Sequence, residues 1–129
     1  MKVLFICRGN RYRSPIAEFL FNQMYPQHKA FSAGTNFKRL IEHLPKKTIL
    51  TLMEDGLDAS RERPKLVTKK MVDNADKLIV LCEKKYCPDF ILNSKKAEFW
   101  DVRDPEYSGI PEVNKVKEII RNKLRTMFS

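Results

Sequence analysis

A cysteine and an arginine six positions apart, Cys7 and Arg13, are the side chains of this sequence best suited to chemistry. Gly9 and Asn10 lie between them, and Ser14 follows directly. A loop of this length can turn its backbone N–H groups inward around a tetrahedral anion. The planar guanidinium of Arg13 fits two oxygens of such an anion. A thiolate at the base of the loop would then face the central atom of the anion as a nucleophile.

Two flanking elements are needed to hold that loop, and the sequence supplies both. Residues 3–6 form a short apolar run with β-branched members, which is typical of a buried strand. Ser14 followed by Pro15 is a strong signal for the start of a helix. The loop therefore joins the carboxyl end of a strand to the amino end of a helix, where anions are stabilised. The same field favours a thiolate at Cys7, and the Ser14 hydroxyl is placed to donate to its sulfur.

The loop residues have separate expected roles in binding an oxyanion. Gly9 is expected to adopt a φ that other residues resist, and Asn10 to tolerate a left-handed conformation while its amide ties the loop together. A cysteine at the end of a strand is often only a buried apolar residue. The combination of strand, Gly, Asn, Arg, Ser and Pro in one window favours a reactive thiol instead. The expected oxyanion-binding residues are Arg8, Gly9, Asn10, Arg11, Tyr12, Arg13 and Ser14.

Apolar runs and helical periodicity alternate along the rest of the chain. The pattern predicts further strands at 29–33, 77–82 and 97–100, and helices at 15–24, 45–55, 68–74 and 113–127. Strands that alternate with helices indicate an α/β fold with a parallel sheet. We expect residues 1–129 to form a single three-layer domain, with a four-stranded, twisted parallel sheet and helices on both faces. The core-facing side chains expected in helices 45–55 and 113–127 are Ile49, Leu52, Met53, Val116, Ile119, Ile120 and Leu124.

The composition and net charge of the chain indicate what class of protein it is and what kind of partner it binds. A chain of 129 residues with 43% apolar residues suits one globular core. Three cysteines, one of them in a reactive setting, and no charged-then-apolar leader favour a reducing, cytoplasmic location away from membranes. The net charge of +9 favours anionic partners, but the basic residues are dispersed and accompany no nucleic-acid motif. We expect phosphorylated or acidic partners, no nucleic acid, no metal or cofactor, and a monomer or weak dimer.

The window that begins at Cys7, CRGNRYRSPIAE, resembles the signature of the low-molecular-weight protein tyrosine phosphatases. Three short segments in the family's order extend the resemblance over most of the chain: Ser32-Ala-Gly-Thr35, Gly56-Leu-Asp58 and Asp104-Pro105. The resemblance implies that Cys7 is the nucleophile, that Arg13 clamps the phosphate, and that Asp104 is the general acid. It also implies a cysteinyl-phosphate intermediate, a sheet in the strand order 2-1-3-4, and phosphotyrosine on proteins as the substrate.

A second aspartate in the same segment is also a candidate for the general acid. Asp104 and Asp101 both follow the predicted fourth strand, whose loop leaves the sheet at the same edge as Cys7. A departing tyrosinate is a poor leaving group unless it is protonated as the P–O bond breaks. Asp104 is preferred because the family's acid directly precedes a proline, here Pro105, and Asp101 fits a turn or helix cap better.

Aromatic residues are expected to shape the substrate site. By resemblance, Phe37 in the loop after the second strand and Tyr107 in the acid loop would flank a phenyl ring above the oxyanion loop. Either could instead serve ordinary loop packing.

Several residues depart from the phosphatase pattern and leave the substrate open. Arg11 stands where tyrosine phosphatases tend to carry an aliphatic residue and arginine phosphatases a threonine, and Arg8 adds a second cation. Tyr12 replaces the second cysteine of many relatives. Cys82 and Cys87 occupy the region where arsenate reductases of this fold carry two redox cysteines, although those are spaced more widely. A thioredoxin-coupled arsenate reductase and a protein-arginine phosphatase are therefore the alternatives, whereas a complete nucleophile, arginine and acid disfavour a non-catalytic binding module.

Overall fold

Strands and helices alternate along the chain in the computed structural model, which describes residues 1–36 and 43–128. The strands are β1 (Lys2–Cys7), β2 (Lys29–Gly34), β3 (Lys77–Val80) and β4 (Ala97–Phe99). The α-helices are α1 (Arg13–Met24), α2 (Lys46–Met53), α3 (Lys69–Asn74), α4 (Asp89–Leu92) and α5 (Ile110–Arg125), and a 3₁₀ turn covers Lys84–Tyr86. Within the described residues, no helix combines the length and apolarity needed to cross a bilayer.

The four strands form one parallel sheet in the order β2-β1-β3-β4, which confirms the predicted topology. Register brings the carboxyl ends of the strands to a common edge. Cys7 at the end of β1 lies opposite Gly34 of β2, and Ile6 lies opposite Val80 of β3. Val80 in turn lies opposite Phe99 of β4. The loops that leave β1, β3 and β4 therefore begin side by side.

Helices cover both faces of this sheet, as the alternation predicted. Successive residues of β1 point to opposite faces, so one strand contributes to two cores. Val3 and Phe5 pack with buried side chains of α1, α2 and α5, whereas Leu4 and Ile6 pack with those of α3 and α4. The fold is thus an α/β sandwich of three layers, and its two cores hold the common strand edge rigid from both sides.

The structure corrects several expectations about element boundaries and burial. Helix α1 begins at Arg13 instead of Pro15, so Ser14 lies inside the helix, where its hydroxyl contacts the Cys7 sulfur and caps nothing. Met53, at the last turn of α2, is 54% exposed, and Ile119 is 45% exposed beside the buried Ile120. Neighbouring helical residues point about 100° apart, so a residue next to a buried one can lie at the edge of the apolar face and remain exposed. The short elements at 84–86 and 89–92 were not predicted.

Gly34 marks a close approach between the end of β2 and the loop after β1. A Cβ built on Gly34 would lie 2.9 Å from the backbone oxygen of Arg8, the backbone carbon of Gly9 and the backbone nitrogen of Asn10. These are backbone atoms, so they cannot rotate away as a flexible side chain would. The position therefore requires glycine for packing, although its φ is ordinary.

We predict that Gly34→Ala lowers the free energy of unfolding by about 1–3 kcal/mol, since overpacking displaces the backbone, and weakens phosphate binding by distorting the loop. Urea unfolding with and without phosphate measures both effects. Gly109→Ala is the matched control, because its Cβ would meet nothing closer than 3.5 Å. Equal stability and equal phosphate binding in the two variants would show that the loop does not depend on this contact.

Candidate active site

The sulfur of Cys7 lies at the floor of the loop formed by residues 7–13, hereafter the anion loop. Cys7 ends β1 and is 2% exposed. The Asn10 N–H donates to its Sγ at 3.2 Å, and the Ser14 Oγ lies 3.0 Å from the same atom. Because the Asn10 side-chain amide donates to Ser14 Oγ at 2.8 Å, the hydroxyl proton of Ser14 is available to the sulfur. Both contacts therefore direct hydrogen-bond donors at the Cys7 sulfur.

Asn10 holds the anion loop in shape. Its φ is 53°, in the left-handed region, as predicted for this residue. The expectation that Gly9 supplies such a conformation is wrong, because Gly9 has no positive φ. The buried Asn10 amide donates to Ser14 and, at 3.0 Å, to Ser32 Oγ, and its Oδ1 accepts the Lys65 N–H at 2.8 Å. One side chain therefore ties the loop to α1, to β2 and to the segment that precedes α3.

A hydrogen-bond chain continues from Asn10 to a carboxyl on α1. The Ser32 hydroxyl donates to Glu18, and burial of this carboxyl raises the pKa of Glu18 above its usual range. Glu18 is the last residue of the signature window in the sequence, and no role was predicted for it. Its position four residues after Ser14 was the available signal, since both side chains then share one face of the helix. Within the described residues, no group of three or more His, Cys, Asp or Glu side chains is arranged to hold a metal ion.

Arg13 is the first residue of α1 and is 4% exposed. Its Nη1 donates to the carbonyl oxygens of Leu81, at 2.7 Å, and Val102, at 3.0 Å. These two residues follow β3 and β4, so the guanidinium is held by the loops that leave both strands. With Nη1 engaged, the remaining N–H groups belong to Nε and Nη2, the edge through which a guanidinium makes bidentate contact with an oxyanion.

Asp104 lies beside this edge, in the loop of residues 100–109 between β4 and α5, hereafter the acid loop. Its Oδ2 is 3.5 Å from Arg13 Nη2, and its Oδ1 accepts the Glu106 N–H at 3.1 Å. Asp101, the other candidate acid, is exposed and lines an open cavity of about 230 Å³ with Arg13 and Trp100. The structure therefore places both aspartates near Arg13, and pairs Asp104 with it.

Arg8 and Arg11 of the anion loop are half-buried, whereas Tyr12 packs in the hydrophobic core. The Arg8 guanidinium stacks over the Tyr86 ring at 4.2 Å, and Arg11 forms an ion pair with Glu106. Tyr12 is 5% exposed, and burial raises the pKa of its hydroxyl.

Tyr107 and Phe37 are the two aromatic residues expected to flank the substrate, and the structure describes only Tyr107. Tyr107, in the acid loop, is 96% exposed and contributes nothing to the core. Phe37 lies outside the described residues. Their proposed contact with a substrate ring stays a prediction.

The remaining two cysteines lie next to each other at the same sheet edge. Cys82 Sγ and Cys87 Sγ are 3.9 Å apart, and both thiols are free. Cys82 is buried and lines the cavity beside Arg13, whereas Cys87 is half-buried. A hydrogen bond between them raises the pKa of Cys82 and lowers that of Cys87, so Cys87 loses its proton first.

This chain is similar to known proteins over nearly its whole length. An arsenate reductase from Staphylococcus aureus is 29% identical over 122 residues, which cover 92% of this chain and 89% of that protein. The crystal structure of an arsenate reductase from Archaeoglobus fulgidus superposes with a TM-score of 0.82 at 29% identity, over 97% of each chain.

A tyrosine phosphatase structure has the same fold at lower sequence identity. The low molecular weight protein tyrosine phosphatase from T. tengcongensis superposes with a TM-score of 0.85 at 24% identity, over 99% of this chain and 97% of that one. The family model described as low molecular weight phosphotyrosine protein phosphatase matches residues 2–129. The chain therefore belongs to the low molecular weight phosphotyrosine protein phosphatase family.

Proposed function

We propose that this protein is a phosphatase that hydrolyses aryl phosphates, with phosphotyrosine on proteins as the substrate class, through a cysteinyl phosphate on Cys7. The observation that carries the proposal is the 3.5 Å contact between Asp104 Oδ2 and Arg13 Nη2. It sets a carboxyl group, which can carry the proton for a leaving group, beside the group that would hold the phosphoryl oxygens. Phenolate and alkoxide leaving groups need such a donor, because they depart slowly as anions.

The reaction divides into two displacements at phosphorus. In the first, the Cys7 thiolate attacks, the S–P bond forms, the P–O bond breaks, and Asp104 gives its proton to the leaving oxygen. In the second, water attacks phosphorus, Asp104 takes a proton from that water, the S–P bond breaks, and inorganic phosphate leaves. Arg13 holds the equatorial oxygens in both steps. The donors on the sulfur, Asn10 N–H and Ser14 Oγ, stabilise the thiolate that departs in the second step.

The burial of Cys7 at the floor of the anion loop favours a substrate with a long side chain. Cys7 is 2% exposed, so a phosphoryl group must reach the floor of the anion loop to be attacked. Phosphotyrosine carries its phosphorus farther from the backbone than phosphoserine does, and its ring has two faces on which an exposed aromatic such as Tyr107 can stack. The net charge of +9 also favours acidic, phosphorylated proteins as partners.

Arsenate reduction is the second candidate, and the thiol pair Cys82–Cys87 is the observation that favours it. Cys7 would attack arsenate with loss of water to form a thiol–arsenic(V) adduct. A second thiolate would then attack the Cys7 sulfur, so that a disulfide forms and arsenic leaves as arsenite, reduced by two electrons. The third thiol would move the disulfide to the Cys82–Cys87 pair, and an external dithiol of the thioredoxin class would reduce it. The relatives named arsenate reductase are consistent with this route.

We predict that Asp104→Asn slows the hydrolysis of phenyl phosphates with high-pKa leaving groups by about 10²–10⁴-fold, the usual contribution of a general acid. Activated nitrophenyl esters should be affected far less, because their leaving groups need little protonation. Rates across a series of substituted phenyl phosphates measure the slope, with Cys7→Ser as the inactive reference and Asp101→Asn as the control. A steep slope in Asp101→Asn, or an unchanged slope in Asp104→Asn, would move the acid to another residue.

A comparison of substrates separates the two candidate functions. We expect the wild type to hydrolyse a phosphotyrosine peptide, and Cys82→Ser and Cys87→Ser to leave its kcat/KM unchanged, since neither thiol takes part in phosphoryl transfer. Thioredoxin-dependent arsenate reduction and release of phosphate from a phosphoarginine peptide are measured with the same preparations. Arsenate turnover that needs all three cysteines, without peptide hydrolysis, would establish the reductase instead. Hydrolysis confined to phosphoarginine would establish the arginine phosphatase.

The thiol pair also predicts an order of reactivity. Its hydrogen bond lowers the pKa of Cys87 and raises that of Cys82, so Cys87 carries more thiolate near neutral pH. In the Cys7→Ser background, a short exposure to iodoacetamide at pH 7 should therefore alkylate Cys87 first, as peptide mass mapping would show. Cys82→Ala should slow alkylation at Cys87 by removing the donor. Faster labelling of Cys82 would contradict the assigned direction of the hydrogen bond.

A further inference from the structure

An ion pair joins the anion loop to the acid loop at the rim of the site. Arg11 of the anion loop pairs with Glu106 of the acid loop, and their side chains are 27% and 30% exposed. The partial burial of both groups limits screening by solvent, which distinguishes this pair from ordinary surface ion pairs. The contact therefore links two segments that are 95 residues apart in the chain, one carrying Cys7 and the other Asp104.

Glu106 is also bound directly to the proposed acid. Its backbone N–H donates to Asp104 Oδ1 at 3.1 Å, while Asp104 Oδ2 lies 3.5 Å from Arg13 Nη2. The Asp104 carboxyl is thus fixed through one oxygen by Glu106 and through the other by Arg13. Because Glu106 is in turn held by Arg11, both supports of the carboxyl end on the anion loop.

Arg11 has the rigidity that such a support requires. Its carbonyl oxygen accepts the hydroxyl of Thr48 at 2.8 Å, and Thr48 is fully buried on α2. The far end of the acid loop is held separately, by Lys47 Nζ on the Ser108 carbonyl at 2.6 Å.

We propose that Arg11 and Glu106 are a positioning pair that keeps Asp104 over the anion loop during phosphoryl transfer, an inference that rests on the phosphatase function proposed above. An oxyanion bound at Arg13 competes with Asp104 for Nη2, so the Arg13 contact weakens when substrate enters. The Arg11–Glu106 pair does not use Nη2 and holds the acid loop in that state. Misplacement of a catalytic group by about 1 Å can cost on the order of 10²-fold in rate. Loss of the Arg11–Glu106 pair should therefore slow the step in which Asp104 transfers its proton.

The test measures the leaving-group slope and phosphate inhibition for Arg11→Gln, Glu106→Gln and the charge swap Arg11→Glu with Glu106→Arg. Both single variants should lose about 10–100-fold in kcat on phenyl phosphate, lose little on activated esters, and keep the inhibition constant of inorganic phosphate. The charge swap should recover much of the lost rate. Arg103→Gln is the matched control and should behave as wild type, because it breaks an acid-loop ion pair whose arginine side chain is 60% exposed and therefore screened by solvent.

A second readout needs no activity. Hydrogen exchange at the Glu106 amide, which is bonded to Asp104, should become faster in Arg11→Gln and stay unchanged in Arg103→Gln. Equal exchange and equal slopes in these two variants would overturn the proposal. A weaker phosphate inhibition constant in Arg11→Gln with an unchanged slope would also overturn it, and would make Arg11 an oxyanion ligand. If the wild type hydrolysed no aryl phosphate, the phosphatase function would fail, and exchange at Glu106 would still decide whether the pair fixes the acid loop.

Discussion

The buried guanidinium of Arg13 is the constraint on which the rest of the site depends. A charge taken out of water needs close partners, or its desolvation outweighs what it contributes. Arg13 is 4% exposed, and its partners are the carbonyl oxygens of Leu81 and Val102 and the carboxylate of Asp104. Those partners come from the segments that follow β3 and β4, whereas Arg13 itself starts α1. The parallel order of the sheet therefore gathers Arg13 and Asp104, the proposed phosphate clamp and general acid, at one edge.

The anion loop depends on a second set of contacts behind it. Asn10 adopts the left-handed conformation. Its side-chain amide donates to Ser14 and Ser32 and accepts the Lys65 N–H, so the loop is fixed against the sheet. Gly34 lets the backbone of β2 approach within the distance that any side chain would block. These contacts leave Cys7 Sγ facing donors from Asn10 and Ser14, which is the environment a thiolate requires.

Phosphoryl transfer and arsenate reduction, the two candidate functions, would use the same anion loop for their first step. In both proposed reactions the Cys7 thiolate would first attack the central atom of a tetrahedral oxyanion. They diverge afterwards, because water completes a phosphatase cycle whereas two more thiols complete a reductase cycle. The chain carries Asp104 beside Arg13 and also carries Cys82 and Cys87 at 3.9 Å. The cavity lined by Arg13 and Cys82 places the thiol pair next to the oxyanion clamp.

The sequence by itself determined the fold class, the strand order through its family resemblance, and the position of Cys7 and Arg13 at a strand–loop–helix junction. Those features are local: apolar runs, a Ser-Pro helix start and short motifs lie within a few residues of one another. The sequence predicted the left-handed conformation of Asn10, but it did not reveal that Gly9 lacks a positive φ, that Met53 and Ile119 face solvent, or that Arg11 meets Glu106. Only the tertiary structure decided these, because each depends on which distant segment packs alongside. The Arg11–Glu106 contact, for example, exists only because parallel strands bring two loops 95 residues apart to the same edge.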